Sequence, residues 1–377
     1  MRLRTVFWGS LAGLAWTHAG YPLAAAALAR AHQRPIRKDE AAAKPDVTVV
    51  VAAHNEERVI RRRLENLLEL DYPPERLEVV VASDGSTDAT KAIVAEIAAA
   101  DPRVRLLDLP RAGKVAAQDA AVAATSAPAV AFSDANATWA PDALARLVSV
   151  LADPDVGYVC GQVRLERPEG ENPEPLYWRY ELWLRASESA LGSITGGNGA
   201  IYAVRRADYV GGDTRFGHDL GFPYLMVQRG RRAVYEPAAI AYEKPGRASE
   251  DEYRRKVRMF AQCWLHLLSG RMFRRSDPLY LAQLVSHRVL RYGSGLLHVA
   301  LFASSLALAS RAPVYRTALT AQLAWLGLAG AGRARAPVPG AALAYYYFLV
   351  TSATLVGLAN YLRSGVPVVW EQAVGTR

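Results

Sequence analysis

Between residues 45 and 134 the chain repeats one pattern: a short run of β-branched and small apolar residues, a polar loop, then a stretch with helical spacing. Residues 47–52 (Val-Thr-Val-Val-Val-Ala) read as a strand. The stretch 56–70 places Ile60, Leu64, Leu67 and Leu68 on one helical face, and the Tyr72-Pro73-Pro74 turn stops it. Residues 77–82 form the next strand, ending in Ser83-Asp84-Gly85-Ser86-Thr87-Asp88 before a helix to Ala100. Residues 104–107 are a third strand, a helix follows Lys114, and a fourth strand ends at Asp134. Alternation of this kind predicts an α/β fold, Rossmann-like, with a mostly parallel sheet flanked by crossover helices and with the polar loops gathered at one sheet edge. The run Val130-Ala131-Phe132-Ser133 breaks abruptly into Asp134-Ala135-Asn136, which is how a buried strand delivers oxygen ligands to that edge. Taken alone, Asp-x-Asn is more often an ordinary turn.

After Pro141 the pattern predicts a helix to Leu151, a strand over 157–165, an aromatic-rich helix over 173–192, a strand over 200–204 and a short strand over 234–237. A long basic-then-apolar helix follows over 250–268. The loops Gly196-Gly197-Asn198-Gly199 and Gly217-His218-Asp219-Leu220 lie between these elements.

The two ends differ from the middle. Residues 5–29 contain no charged residue and are about long enough to cross a bilayer; Arg30, Arg34, Arg37 and Lys38 follow. A signal peptide is the alternative, but the apolar stretch outruns a typical signal core, so an uncleaved anchor over 1–31 is expected, with its basic flank in the cytosol. Residues 39–45 read as a linker, 45–270 as one catalytic domain, and 271–377 as a membrane region whose apolar runs 292–310, 317–331 and 341–362 predict two or three helices. These runs explain why the chain is 51% hydrophobic while 21% charged, and the net charge of +9 falls beside them. Such placement suits a membrane surface and phosphate ligands, not nucleic acid. With only Cys160 and Cys263, neither a disulfide framework nor a zinc site is indicated.

The strand ends Ala52-Ala53-His54-Asn55-Glu56-Glu57, Ser83 to Asp88 and Ser133 to Asn136, in that order and with Gly113-Lys114 between the last two, resemble the family 2 glycosyltransferases over roughly residues 45–270. The resemblance implies an A-type glycosyltransferase fold and an enzyme that uses a nucleoside diphosphate sugar, with a uridine diphosphate sugar as the first expectation. It implies donor contacts from Ala53, Asn55, Glu56, Asp84, Lys114, Ser133, Asp134 and Arg258. It also implies a divalent cation, Mg2+ or Mn2+, at Asp134 and Asn136, where hard oxygen ligands suit such an ion. Asn136 stands where the family usually has a second acid.

On the acceptor side, Gly197, Asn198, His218 and Asp219 match the stretches that line the sugar and acceptor in the family. Asp219 takes the place of its general base, with direct displacement and inversion at the anomeric carbon. His218 stands where an acid is common, and an Asp that merely caps the following segment is the plain alternative for Asp219. Arg254-Arg255-Lys256-Val257-Arg258-Met259 is similar to the family's Gln-x-x-Arg-Trp region and keeps only the Arg, at Arg258. Losing the Trp favours single transfer, to a lipid-linked or saccharide acceptor at the membrane, over a processive polysaccharide synthase. An inactive sugar-nucleotide-binding protein is the alternative from another class. A dinucleotide-dependent oxidoreductase is disfavoured because the first strand does not lead into Gly-x-Gly-x-x-Gly.

Overall fold

The computed structural model describes residues 2–39, 44–165, 174–244 and 249–367, so most of the linker read over 39–45 lies outside the described residues. The strands are β1 (Val47–Ala53), β2 (Leu77–Asp84), β3 (Val104–Leu109), β4 (Ala129–Asp134), β5 (Thr138–Trp139), β6 (Val156–Leu165), β7 (Ile201–Arg205) and β8 (Arg232–Glu243). The helices are α1 (Arg2–Ala15), α2 (Tyr21–Ala31), α3 (Ile60–Leu68), α4 (Thr90–Ala100), α5 (Lys114–Ala123), α6 (Ala143–Leu151), α7 (Glu174–Leu191) and α8 (His218–Gln228). They continue with α9 (Ser249–Leu268), α10 (Pro278–Gln283), α11 (Leu290–Tyr292), α12 (Ser294–Leu308), α13 (Pro313–Arg333) and α14 (Ala341–Ser364).

The strands form one mixed sheet in the order β3-β2-β1-β4-β7-β6-β8-β5. The first four pair in parallel, as expected, with Val50 opposite Val80 and Phe132. β7 then enters antiparallel to both β4 and β6. The first strands are apolar at successive positions because each face is covered. Val47, Val49 and Val51 pack with Ile60, Leu64 and Leu67 of α3, and the alternate Val50, Val80 and Phe132 pack with Ala117 and Ala121 of α5. The β3-β2-β1-β4 order reverses the direction of winding beside β1, so the β1, β2 and β4 loops open into one crevice at the carboxyl edge.

Two elements differ from expectation. The short strand over 234–237 is the middle of the twelve-residue β8, whose register against β6 shifts between the pairs Cys160–Tyr235 and Gln162–Ile240. Pro237 cannot donate to a ladder, and the irregularity absorbs it. The loop at 217–220 is instead the start of α8, with Gly217 extended at the N-cap.

The apolar ends also differ. The N-terminal run is not one α-helix: a π-helical turn over Trp16–Gly20 separates α1 from α2. Phe7 and Leu14 pack with Leu301 and Leu308, and Tyr21 donates to Glu188 Oε1 at 2.6 Å, so this run is part of the folded body. Among the described residues one helix, α14, is long and apolar enough to cross a membrane. The stretch from Pro278 to Tyr292 and α12 would make a second such span only as a pair bent by 63°.

Candidate active site

The crevice is held open by hydrogen bonds between its own loops. Asn55 adopts a left-handed φ of 55°, which Asn tolerates, and its Oδ1 accepts from the Thr87 amide at 2.8 Å. The Glu56 amide donates to Thr90 Oγ1 at 2.8 Å, and Asp88 accepts from the amides of Glu57 and Thr90. The loops after β1 and β2 are thereby one unit. Asp84 is 3% exposed; its carboxylate accepts from the amides of Ala112 (2.6 Å) and Gly113 (3.0 Å) and pairs with Arg111. It shapes the segment that delivers Lys114. Gly85, at φ 63°, leaves room for the Arg111 backbone, which a Cβ would meet at 2.9 Å.

Lys114 opens α5 and forms an ion pair with Asp134 across the crevice. Burial works to lower the lysine pKa, and the carboxylates of Asp134, Asp219 and Glu243 outweigh it, so the ammonium is held above its ordinary value. One cation therefore stands among three acids from three different elements. Asn136 lies in the turn after Asp134, where the Ala137 amide donates to the Asp134 carbonyl at 3.3 Å. Gly199 passes so close that a Cβ there would lie 3.3 Å from Lys114 Nζ and 3.7 Å from Asp134 Oδ2.

Asp219 is the second residue of α8. Pro223, four residues on, lacks the N–H that would bond the Asp219 carbonyl within the helix, and the Gly197 amide donates to that oxygen instead, at 2.7 Å. A proline inside a helix thus ties the candidate base to the Gly196–Gly199 loop. The Leu220 amide donates to Asp219 Oδ1 at 3.0 Å. Burial raises the Asp219 pKa above the usual aspartate range, with Lys114 pulling the other way.

The other expected site residues divide into two groups. Lys114, Asp134, Asp219 and Gly197 meet in the crevice, and Asn55, Glu56 and Asp84 frame it. The side chains of Ala53 and Ser133 are enclosed, which leaves them main-chain contacts only. Asn198 donates to Gly161 O at 2.7 Å and accepts from the Ile201 amide at 2.9 Å, so its carboxamide is occupied in fixing the loop. His218 points beneath the crevice, with Nδ1 2.8 Å from Tyr202 Oη and its ring edge-on to Phe222 at 4.5 Å. Burial first and Lys114 second lower its pKa to about 3, so the imidazole is neutral. Arg258 is half-buried on α9, with the charge of Arg255 beside it.

Sequence reasoning missed Arg111, Glu243 and Tyr158, which reach the site from positions with no motif of their own. Tyr158 is the most constraining: a Cβ on Gly197 would lie 2.0 Å from its hydroxyl. Gly197→Ala should therefore displace the loop and its bond to Asp219, lowering transfer at least about tenfold, a loss of roughly 1.4 kcal/mol or more. Adding Tyr158→Phe removes the nearest atom and should restore part of that loss; paired rate measurements on the single and double variants would test it.

Among the described residues no three His, Cys, Asp or Glu side chains converge on a common metal position. One carboxylate and one amide at Asp134 and Asn136 are nevertheless a hard-oxygen pair that fits Mg2+ or Mn2+, provided a diphosphate and water complete the shell.

Comparison with known proteins bears on the family and the fold. Residues 48–211 match the family described as Glycosyl transferase family 2. A beta-monoglucosyldiacylglycerol synthase of Nostoc sp. is 31% identical over 223 residues, covering 56% of this chain and 46% of that one. An N-acetylglucosaminyltransferase of Rhizobium meliloti is 31% identical over 216 residues, covering 52% and 50%. The chain spans about half the length of these curated relatives. Among solved structures, a mannosyltransferase from Pyrobaculum calidifontis in complex with GDP-Man and Mn2+ superposes with a TM-score of 0.75 at 25% identity, over 96% of this chain and 99% of that one.

Proposed function

We propose, from the premise that residues 48–211 form a family 2 glycosyltransferase domain, that the protein is a membrane-associated inverting glycosyltransferase. It moves a sugar from a nucleoside diphosphate sugar to a lipid-linked or saccharide acceptor. The observation that carries this reading is the convergence of Asp134 and Asp219 on Lys114 within one crevice. A transferase needs a cation for the diphosphate and a carboxylate for the acceptor, placed within reach of the same sugar.

In this reading Asp84 and the β1–β2 loop unit shape the nucleotide end, and Lys114 neutralises diphosphate charge. Asp134 and Asn136 would hold a divalent cation, which when bound supplies Lewis-acid stabilisation of the leaving diphosphate. Asp219 takes the proton from the acceptor hydroxyl as it attacks the anomeric carbon. The Gly196–Gly199 loop keeps the base in place through its backbone. The Pyrobaculum calidifontis protein in complex with GDP-Man makes a guanosine donor as much a candidate as a uridine one. The apolar α14 and the bent pair ending in α12 support attachment to a membrane. The basic flank after residue 29 favours a cytosolic catalytic domain.

The test is turnover: the purified chain, offered UDP- and GDP-sugars with Mn2+, should transfer to membrane lipid extracts with inversion. Donor binding without transfer or donor hydrolysis across the panel would sink the reading in favour of a binding protein.

A pH dependence follows from the buried base. Asp219 must be ionised to accept a proton, and burial raises its pKa above the ordinary value of 3.8. The rate at saturating donor should be present above that raised pKa and fall as pH drops through it. Lys114→Met removes the cation that holds the pKa down, so the acid limb should move to higher pH. A limb unmoved by that substitution would separate Asp219 from the titrating group.

A further inference from the structure

The crevice opens where two strands part. β4 and β7 pair antiparallel as far as Ser133 with Ile201, and the pairing stops before Asp134 and Ala200. Asp134 stands on one side of the opening. On the other, Ala200 follows the Gly196–Gly199 loop, whose Gly197 amide holds the Asp219 carbonyl at 2.7 Å. The spacing of the two carboxylates therefore depends on what ties these chain ends together beyond the last pair.

Trp139 supplies that tie. It lies in β5, past the turn that begins at Asp134, and is 1% exposed; its indole Nε1 donates to the Ala200 carbonyl at 3.0 Å. The backbone of Trp139 is itself fixed: its amide donates to Asn66 Oδ1 at 2.8 Å, and its carbonyl accepts from Asn66 Nδ2 at 3.0 Å. The Arg63 guanidinium of α3 lies over the ring, 4.9 Å from a ring centroid, and its Nη1 donates to Asn66 Oδ1. Arg63 is 2% exposed, and its Nε and Nη2 have no hydrogen-bond partner among the described residues. Enclosing a guanidinium with unmet donors destabilises a core, and the contact made here is with the ring that bridges the opening.

An enclosed indole touches no substrate, so its effect on a reaction passes through the Asp134 turn and the Gly196–Gly199 loop. Transfer requires acceptor, sugar and base in register, and a misplacement of about 1 Å costs on the order of 10²-fold. Water is small and is not held by the loop, so its attack is less sensitive to the same displacement.

We propose that Trp139 is a positioning residue that sets the gap between Asp134 and Asp219, and thereby the partition of the donor sugar between acceptor and water. The catalytic consequence rests on the transferase reading; the mechanical tie does not. In transfer the bond from the anomeric carbon to the diphosphate oxygen breaks, and that oxygen leaves with the electron pair. The acceptor oxygen bonds the carbon, and its proton passes to Asp219. In hydrolysis a water oxygen takes the acceptor's place and gives its proton to the same carboxylate.

Trp139→Phe keeps a ring beside Arg63 and removes the indole N–H. With the purified chain in detergent micelles, UDP- and GDP-sugars, Mn2+ and membrane lipid extract, transfer should fall about tenfold. Donor hydrolysis should hold or rise, so the ratio of transfer to hydrolysis drops by at least that factor, while donor affinity changes less than about twofold. Hydrogen exchange needs no donor. Peptides spanning residues 195–201 should exchange about tenfold faster in the variant, in line with the loss of one hydrogen bond, with those of β1 unchanged. Should Trp139→Phe fail to fold, Asn66→Ala, which frees the Trp139 backbone and keeps the indole, takes its place with smaller changes in the same directions. Transfer and hydrolysis falling together, with their ratio unchanged, overturns the proposal by reducing Trp139 to core packing. Unchanged exchange over 195–201 overturns the tie itself. Wild type that neither transfers nor hydrolyses any donor, with a loop that still responds to Trp139→Phe, leaves the tie standing and counts against the transferase reading.

Discussion

Asp219→Asn should lower the transfer rate by about 10²- to 10⁴-fold, the usual contribution of a general base, while the donor dissociation constant changes little. The substitution keeps size and the acceptor oxygen that receives the Leu220 amide. It leaves the backbone carbonyl that Gly197 holds, so the loop geometry survives. What it removes is the ability to take a proton. The carboxylate's effect on Lys114 also disappears, and freeing that cation should strengthen donor binding slightly if it changes at all. Calorimetry of donor binding beside single-turnover transfer rates would decide the matter. A variant that binds donor poorly yet turns over bound donor at the normal rate would make Asp219 a donor-site residue. His218 would not inherit the role of base easily, because its ring is buried against Phe222 and Tyr202 below the crevice.

The second large effect is at Asp134, where the proposed metal would compete with Lys114 for one carboxylate. Wild-type transfer should need a divalent cation and stop in excess chelator. Asp134→Ala should cost about 10³-fold, on the order of 4 kcal/mol of transition-state stabilisation, with no recovery at high Mn2+. In metal-free buffer the sign should reverse for binding. Asp134 pairs with Lys114, and its removal leaves the ammonium to meet the diphosphate without a neighbouring negative charge, so donor affinity should hold or rise. Metal-dependent affinity alone should vanish. Unchanged wild-type activity in excess chelator would remove the metal from the reaction and leave Lys114 as the counter-charge.

The sequence by itself determined the frame of this protein. The β-branched runs at 47–53, 77–84 and 129–134, separated by helical spacing, admit little besides a parallel sheet covered on both faces, because successive apolar positions cannot all point inward in a one-sided sheet. Strand ends are also where a sheet presents polar groups, so Asp84 and Asp134 were legible as residues of the crevice, and Gly113-Lys114 as their neighbour. Tertiary structure decided the rest. Asp219 reads as a loop residue until one sees that Pro223 frees its carbonyl for Gly197, a bond between residues 22 apart that no local pattern announces. Asn198 and His218, matched by motif, have side chains spent on Gly161, Ile201 and Tyr202, since burial demands partners for polar atoms whatever their chemistry elsewhere. The N-terminal run has the composition of a membrane helix, but its π-helical turn at Trp16–Gly20 and the bond from Tyr21 to Glu188 are visible only in the tertiary structure. Arg288, which lies in the π-helical turn Leu284–Val289 and rests its guanidinium against the Gly196–Gly199 turn, carries no sequence signal at all. Its place beside the turn depends on Gly196 having no side chain and on Thr195 being held by a buried carboxylate from α7, contacts set only when distant segments pack.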